Sequence, residues 1–258
     1  MIDFETGSQI LAAFFVVEEV DMSGKYAVLV VGVGIVLIPA VNESTRYKDL
    51  IESLLLAQLV ANKKIEKVAD GDWYNSYVEF LDSYWLRHSK SRMDLPVAQD
   101  SVESVGDWLS TAMSNAAADK SGNAAATLQR LTGLSGTEPA LSLLRSHMQK
   151  VSPNEPLAPA KAVRLLVVVA HTPISITSVY MEFETDKVLG ANPLAQPLQA
   201  ADTRGSVCMR CSGANLSETL YGPVRNAIAL KVRDRIEDNV ATLILPDEVS
   251  INEICSAD

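Results

Sequence analysis

The sequence predicts a mixed α/β protein, a compact domain with a largely buried central sheet and several helices packed against it. Apolar residues make up 48% and charged residues 21% of the 258 residues, a composition that excludes disordered and low-complexity chains. Stretches rich in β-branched residues also alternate with stretches of helical periodicity. We expect one domain over 1–258, with a proline-rich crossing segment at 152–160.

Residues 8–42 predict β structure. A strand is expected over Phe14 to Val20, and a second strand region over Tyr26 to Ile38, either one bent strand or two short strands hinged at Gly32-Val33-Gly34. Near-continuous apolar runs of this kind indicate a sheet covered on both faces. The alternative is membrane insertion, because 17 consecutive residues from Tyr26 to Asn42 are uncharged. A spanning helix needs about 20, and the β-branched residues and glycines favour a strand.

Residues 43–150 predict helices. Apolar residues recur at helical spacing from Tyr47 to Val68, and an aromatic stripe follows from Trp73 to Trp85. Further helices are expected over 102–116, 124–131 and 138–150.

The last third predicts a mixture. Val163 to Ala170 is expected to be a buried strand and Ile174 to Glu184 a second strand with alternating side chains, followed by a loop over 190–206. Pro223 suits the first turn of a helix, and a final strand is expected over Ala241 to Leu245.

Charge and motifs exclude several function classes. The formal net charge is −10, from 22 basic and 32 acidic residues, so a nucleic-acid partner is not expected. Met1 to Gly7 contains no Lys or Arg, so we expect no Sec signal and, if the protein leaves its cell, export by another route. Gly32 and Gly34 lack the third glycine and the following helix of a dinucleotide-binding fold.

The sharpest local signal is Cys208-Met209-Arg210-Cys211, which we place on a loop. A zinc site is not expected, because Cys255 and His171 are isolated and no second cysteine pair occurs. Three interpretations stay open: a redox dithiol, a single reactive or acylated thiol whose thiolate Arg204 or Arg210 favours, and two ordinary buried cysteines.

A cysteine hydrolase or acyltransferase is a further alternative. Cys208 or Cys211 would act with His171 and an acid such as Glu182 or Glu184.

A basic run could contact anionic headgroups, but we expect it to be a solvated helix end. It comprises Arg87, His88, Lys90 and Arg92.

The chain resembles the Erwinia virulence factor family of bacterial proteins in its size, its α/β mixture, its lack of a Sec signal and a cysteine within Gly205-Ser206-Val207-Cys208. The resemblance implies a non-enzymatic factor that carries palmitate in thioester linkage and associates with membranes during colonisation of an insect gut. Carried onto this chain, the acylated thiol is Cys208, with Cys211 as its rival. No other cofactor is implied, and the host factor is not identified.

An acyl chain must be sheltered, since exposing it costs about 0.8 kcal/mol for each CH₂ that could be buried. It would occupy an apolar tunnel or a bilayer. The apolar stretches Val28 to Ile38, Leu54 to Leu59 and Leu165 to Val169 would line a tunnel or form an ordinary dry core.

Overall fold

The structure is a computed structural model that describes residues 26–40, 44–68, 71–98, 102–116, 122–149 and 162–245. The strand expected over Phe14 to Val20, the crossing segment at 152–160 and Cys255 lie outside these residues.

A seven-stranded mixed sheet organises the described residues, which confirms the predicted fold class. Its strands are β1 (Tyr26–Val31), β2 (Gly34–Pro39), β3 (Trp85–Leu95), β5 (Ala162–Thr172), β6 (Ser175–Thr185), β8 (Thr203–Leu216) and β9 (Val240–Leu243). Their order is β3-β8-β6-β5-β2-β1-β9, and β2 and β5 are the parallel pair. The short strands β4 (Glu103–Ser104) and β7 (Pro197–Leu198) pair separately.

The hinge at Gly32 is a tight hairpin turn, so the interpretation as two short strands is confirmed. Val31 pairs with Gly34, leaving Gly32 and Val33 as a two-residue loop. Gly32 has a φ of 56°, as the first loop position of a type II′ turn requires. The buried amide of Gln58 accepts from the Val33 N–H at 2.9 Å and donates to the Val31 carbonyl at 2.9 Å. Gln58 therefore fixes both ends of the turn.

Helices cover both faces of the sheet. The helices are α1 (Lys48–Ile65), α2 (Trp73–Leu81), α3 (Val105–Ala116), α4 (Gly122–Thr132), α5 (Pro139–Met148), α6 (Glu218–Tyr221), α7 (Arg225–Val232) and α8 (Ile236–Asn239). On one face, which we call the aromatic face, α1, α2 and α7 pack over residues such as Leu166 and Tyr180. On the other, which we call the aliphatic face, α3, α4 and α5 pack over residues such as Val167 and Val179. The expectation of a sheet buried on both sides is thus confirmed.

Two predicted elements are wrong. The aromatic helix ends at Leu81, and Trp85–Leu95 is the edge strand β3, so the basic run lies on a strand and not at a helix end. The loop prediction also fails, because β8 begins at Thr203 and carries both cysteines. An exposed edge strand has no buried face to impose alternation, and its Lys and Arg residues are typical of strands that avoid edge-to-edge pairing.

No helix among the described residues is long and apolar enough to cross a membrane.

Candidate functional site

Cys208 and Cys211 lie on opposite faces of the same strand. β8 is paired with β3 on one side and with β6 on the other, and side chains three positions apart in a strand point in opposite directions. Both thiols are free and half-buried. The interpretation of the pair as a redox dithiol is therefore wrong, because the sheet lies between the two sulfur atoms.

Cys208 is surrounded by charged side chains. It is opposite Asp94 of β3 and Glu182 of β6, and Arg210 follows two positions later on the same face. A hydrogen bond from Arg92, 3.1 Å from Nη2 to Oδ1, is the main cause of the lowered pKa of Asp94, and a hydrogen bond with Cys208 contributes. The Cys208 thiol therefore has a carboxylate on one side and Arg210 on the other.

Arg210 joins the strand to the start of α2. Its Nη2 donates to Asp72 Oδ2 at 2.9 Å, and its Nη1 donates to Asn75 Oδ1 at 3.1 Å. Asp72 is also the N-cap of α2, since its Oδ1 accepts from the Asn75 N–H at 2.9 Å. Burial alone would raise the pKa of Asp72, but the hydrogen bonds from Arg210 and Asn75 hold it below its usual value.

An aromatic stack lies beneath the same helix. The Tyr180 ring stacks on Trp73 with a centroid distance of 5.5 Å and packs against Tyr74 at 4.8 Å, while the Arg210 guanidinium lies 4.9 Å from the Tyr74 ring centroid. Tyr77 also stacks on Trp73, with a centroid distance of 5.3 Å. The stack holds Arg210 against the sheet on the Cys208 side.

Two buried donors in this region have no hydrogen-bond partner among the described residues. They are the Tyr180 hydroxyl and the Arg210 Nε–H. Tyr180 of β6 is paired with Arg210 of β8. The neighbouring pair on the same face, Glu182 with Cys208, is two residues away along each strand. Burial, together with the negative charge of the nearby Glu182 carboxylate, raises the pKa of Tyr180 well above its ordinary value. Its hydroxyl therefore keeps its proton at neutral pH.

Cys211 has the opposite environment. It packs against the aliphatic core and is paired with Val179 on one side and Ser91 on the other. Burial raises the pKa of the Cys211 thiol, although a hydrogen bond with Ser91 partly offsets this. Cys211 is thus less easily converted to the thiolate, the form that reacts with electrophiles.

The residues of the hydrolase alternative do not come together. His171 lies on β5, where its Nε2 is 2.8 Å from the Thr177 hydroxyl. Cys208 is paired across the sheet with Glu182 of β6, and Glu182 is paired with Arg164 of β5. His171 is seven residues further along β5 than Arg164. The imidazole of His171 therefore lies on the order of 20 Å from Cys208. Glu182 accepts from Arg164 at 2.7 Å, and Glu184 is aligned with Arg204. The imidazole is out of reach of either thiol.

The apolar stretches do not border Cys208. Val28 to Ile38 and Leu165 to Val169 form strands whose side chains are almost fully buried in the two cores, and Leu54 and Leu55 of α1 are fully buried. They form a dry core, and the neighbours of Cys208 are charged.

The remaining candidates from the sequence are the basic run and a metal site. All four residues of the basic run, Arg87, His88, Lys90 and Arg92, lie on the edge strand β3, where Arg87 pairs with Asp82 at 2.6 Å. No cluster of three or more His, Cys, Asp or Glu side chains suited to a metal ion occurs in the described ranges.

The sequence alone did not indicate that Asp72 binds Arg210 or that Asp94 lies opposite Cys208. It also did not indicate the buried hydroxyl of Tyr180 or the buried Nε–H of Arg210. The alternation of Val207, Met209 and Cys211 at every second position is a signal that could have placed Cys208 and Arg210 on a strand. Nothing local indicated the register that brings Tyr180 beside Arg210.

Comparisons with known proteins add little. No family model and no curated protein match the sequence. Among solved structures, the chain is similar to one described as the structure of the Evf virulence factor, with a TM-score of 0.33 and 11% sequence identity over 89% of this chain and 88% of that chain. A likeness of this extent establishes neither family membership nor function.

Proposed function

We propose that this protein is a bacterial factor that carries a fatty acid in thioester linkage on Cys208 and uses the acyl chain to associate reversibly with membranes. It accepts one acyl group and turns over no further substrate. The observation that carries the proposal is the position of a half-buried thiol between Arg210 and the ion pair of Arg92 with Asp94.

The surroundings favour Cys208 over Cys211 as the attachment site. Reactive cysteines in proteins are partly exposed and have cations close by, whereas cysteines in apolar surroundings are inert. Cys208 has the first environment, and Cys211, with its raised pKa, has the second. Cys211 is then a structural residue of the aliphatic core.

The acyl chain on Cys208 is proposed to leave the protein surface. The described neighbours of the sulfur are charged, so a bilayer and not an internal tunnel would receive the hydrocarbon. A single chain gives only reversible membrane binding. The net charge of −10 opposes attraction to anionic lipids, so neutral membranes are the expected partners.

The biological role follows from the family resemblance stated above. We infer a virulence or host-colonisation factor that is attached peripherally to membranes or is secreted by a route other than Sec.

Intact mass spectrometry tests the proposal. Protein purified from bacterial cells at neutral pH, without reductant, is expected to weigh about 238 Da more than its sequence, the increment of a palmitoyl thioester. Neutral hydroxylamine should remove the increment. Cys208→Ser should abolish it, and the matched control Cys211→Ser should retain it.

Two results contradict the proposal. An adduct that persists in Cys208→Ser and disappears in Cys211→Ser would assign the acyl chain to the other face of the sheet. An unmodified native protein that also fails to float with phosphatidylcholine vesicles would exclude acylation and membrane association together.

A further inference from the structure

The free edge of β3 is a surface to which the proposed function gives no role. β3 is the last strand of the seven-stranded sheet and pairs with β8 on one side, and no described strand lies on its other side. Every second residue of such a strand points its backbone N–H and C=O away from the sheet. An unpaired edge is the place where a further strand can add to a sheet through main-chain hydrogen bonds.

Residues 89–95, which we call the β3 edge, form the regular part of this strand. The pairing of β3 with β8 has a register shift between Arg87 and Ser89, and from Ser89 to Leu95 it continues residue by residue. At about 3.3 Å per residue this stretch is roughly 20 Å long, the length of an ordinary strand. Residues 89–94 are all exposed, so a strand can approach this edge from solvent.

The side chains of the β3 edge differ in character between the two faces of the sheet. Lys90 and Arg92 lie on the side of the aromatic face, because Arg92 is paired with Arg210 and side chains alternate along a strand. Met93 and Leu95 lie on the side of the aliphatic face, where Leu95 packs against the core and Met93 is 38% exposed. A strand added here would therefore have cations beside it on one face and apolar side chains on the other.

The charge of the β3 edge is opposite to that of the whole chain. The net charge of the chain is −10, yet no acidic residue occurs between Arg87 and Arg92. Lys90 has no ion pair within the described ranges, and Arg92 pairs with Asp94 at the surface, where the two side chains are 60% and 46% exposed. Opposite charges on neighbouring strands attract, whereas like charges directly opposite each other destabilise the pair.

These charges decide between the possible occupants of the edge. If two β3 strands paired antiparallel in a dimer, Lys90 and Arg92 of one copy would face the same cations of the other. A second copy of this chain is therefore disfavoured. An acidic strand would instead be attracted, so the cations that oppose indiscriminate edge pairing select for an acidic partner.

We propose that the β3 edge binds, as an added strand, an extended segment of a partner protein in which acidic and apolar residues alternate. Its acidic side chains lie beside Lys90 and Arg92, its apolar side chains cover Met93 and Leu95, and its backbone continues the hydrogen bonding of the sheet. The interaction does not depend on acylation of Cys208. It weakens as the salt concentration rises, because the charges involved are exposed.

A peptide titration of the full chain tests the proposal. The probe is a fluorescently labelled peptide of alternating glutamate and valine, blocked at both ends and as long as the β3 edge, and binding is followed by fluorescence anisotropy. We expect saturable binding that weakens with salt. Two control peptides should not bind: lysine alternating with valine, which reverses the charge, and glutamate alternating with proline, which keeps the charge but cannot pair as a strand.

Lys90→Glu locates the binding on the protein. It should weaken binding of the glutamate–valine peptide about tenfold, because an attractive cross-strand pair becomes a repulsive one. Lys231→Glu is the matched control, since Lys231 is exposed on α7 and its substitution changes the net charge by the same amount. This variant should bind almost as wild type does. Both lysines are exposed, and thermal melting verifies that the variants fold.

Hydrogen exchange read by mass spectrometry supplies a measurement of the backbone. Addition of the glutamate–valine peptide should slow exchange in fragments that contain residues 89–95 and leave β5 and β6 unchanged, because only the outward amides of β3 gain partners.

Several results would overturn the proposal. Equal weakening by Lys90→Glu and Lys231→Glu would show attraction to net charge alone, and binding of the glutamate–proline peptide would show that no strand is added. The absence of binding would remove the site. Slow exchange of residues 89–95 in the free protein would show that the edge is already covered, and sedimentation would then distinguish a second copy from another part of the same chain.

Discussion

At the scale of single residues, Glu52 is a carboxylate that the fold buries without full compensation. It lies on α1 with its side chain 3% exposed, Lys48 Nζ is 3.8 Å from Oε1, and Oε2 has no partner among the described residues. Burial raises the pKa of Glu52 from 4.5 to about 7, while Lys48 lowers it and Asp49 raises it further. Glu52 is thus expected to make stability depend on pH.

The sign follows from the raised pKa. Between pH 4.5 and pH 7 the unfolded chain has lost the Glu52 proton while the folded chain keeps it, so the free energy of unfolding falls as the pH rises through this range. The loss is complete above about pH 7 and amounts to at most about 3 kcal/mol. Glu52→Gln should remove it, so its stability relative to wild type should increase from pH 4.5 to pH 8 in urea titrations.

Glu79→Gln is the control for this measurement. Its carboxylate is 73% exposed and pairs with Lys64 at 2.7 Å on the protein surface. Its stability difference from wild type should change little with pH. A Glu52→Gln difference that is the same at pH 4.5 and pH 8 would contradict the raised pKa.

At the scale of elements, the β1–β2 hairpin depends on a glycine for two separate reasons. Gly32 has positive φ, and a Cβ built there would lie 2.4 Å from Gln58 Oε1, the atom that accepts from the Val33 N–H. Gly32→Ala therefore combines backbone strain with displacement of a buried hydrogen-bonding side chain. We expect a loss of about 3 kcal/mol in the free energy of unfolding, measured by urea denaturation.

Gly205→Ala isolates the strain from the clash. Gly205 also has positive φ, 77°, but a Cβ there would meet nothing within 4 Å. The loss should be about 1–2 kcal/mol, the cost of a left-handed conformation alone. If the two variants lose the same stability, Gln58 does not resist the added methyl group.

The ion pair between Arg210 and Asp72 attaches α2 to the sheet. The Arg210 side chain is 16% exposed, and Asp72 serves both as its partner and as the helix N-cap. Asp72→Ala removes the cap and leaves a largely buried guanidinium unpaired. We expect a loss of about 3 kcal/mol or more in the free energy of unfolding.

A second β8 arginine provides the comparison. Arg204 pairs with Asp186 at 2.8 Å, but both side chains are more than half exposed. Asp186→Ala should cost less than about 1 kcal/mol, as for surface ion pairs in general. Comparable losses for Asp186→Ala and Asp72→Ala would show that burial adds nothing to the Arg210 pair.

At the scale of the whole molecule, the position of a strand in the sheet should set how fast its amides exchange. β5 and β6 are central, with neighbours on both sides, whereas β3 is an edge strand of exposed residues. In hydrogen exchange read by mass spectrometry, peptides from β5 and β6 should exchange most slowly and those from β3 markedly faster. Equal protection would indicate that another segment covers the β3 edge.

The sequence by itself determined the strands and helices whose side chains repeat with a clear period. β1, β2, β5 and β6 follow from β-branched runs, and α1 follows from its apolar spacing, because burial on a fixed face requires that pattern. It also singled out Cys208, Cys211, Arg210 and His171, since their chemistry is evident without coordinates.

Only the tertiary structure decided which of these residues meet. The polar edge strand β3 and the glycine-containing β8 have weak local signals, and the pairing of β8 with β3 and β6 depends on residues far apart in sequence. That register places Cys208 among charges, Cys211 in an apolar core and His171 out of reach. The alternation along one strand fixes which face each side chain takes, but which strands become neighbours is decided by the packing of the whole sheet.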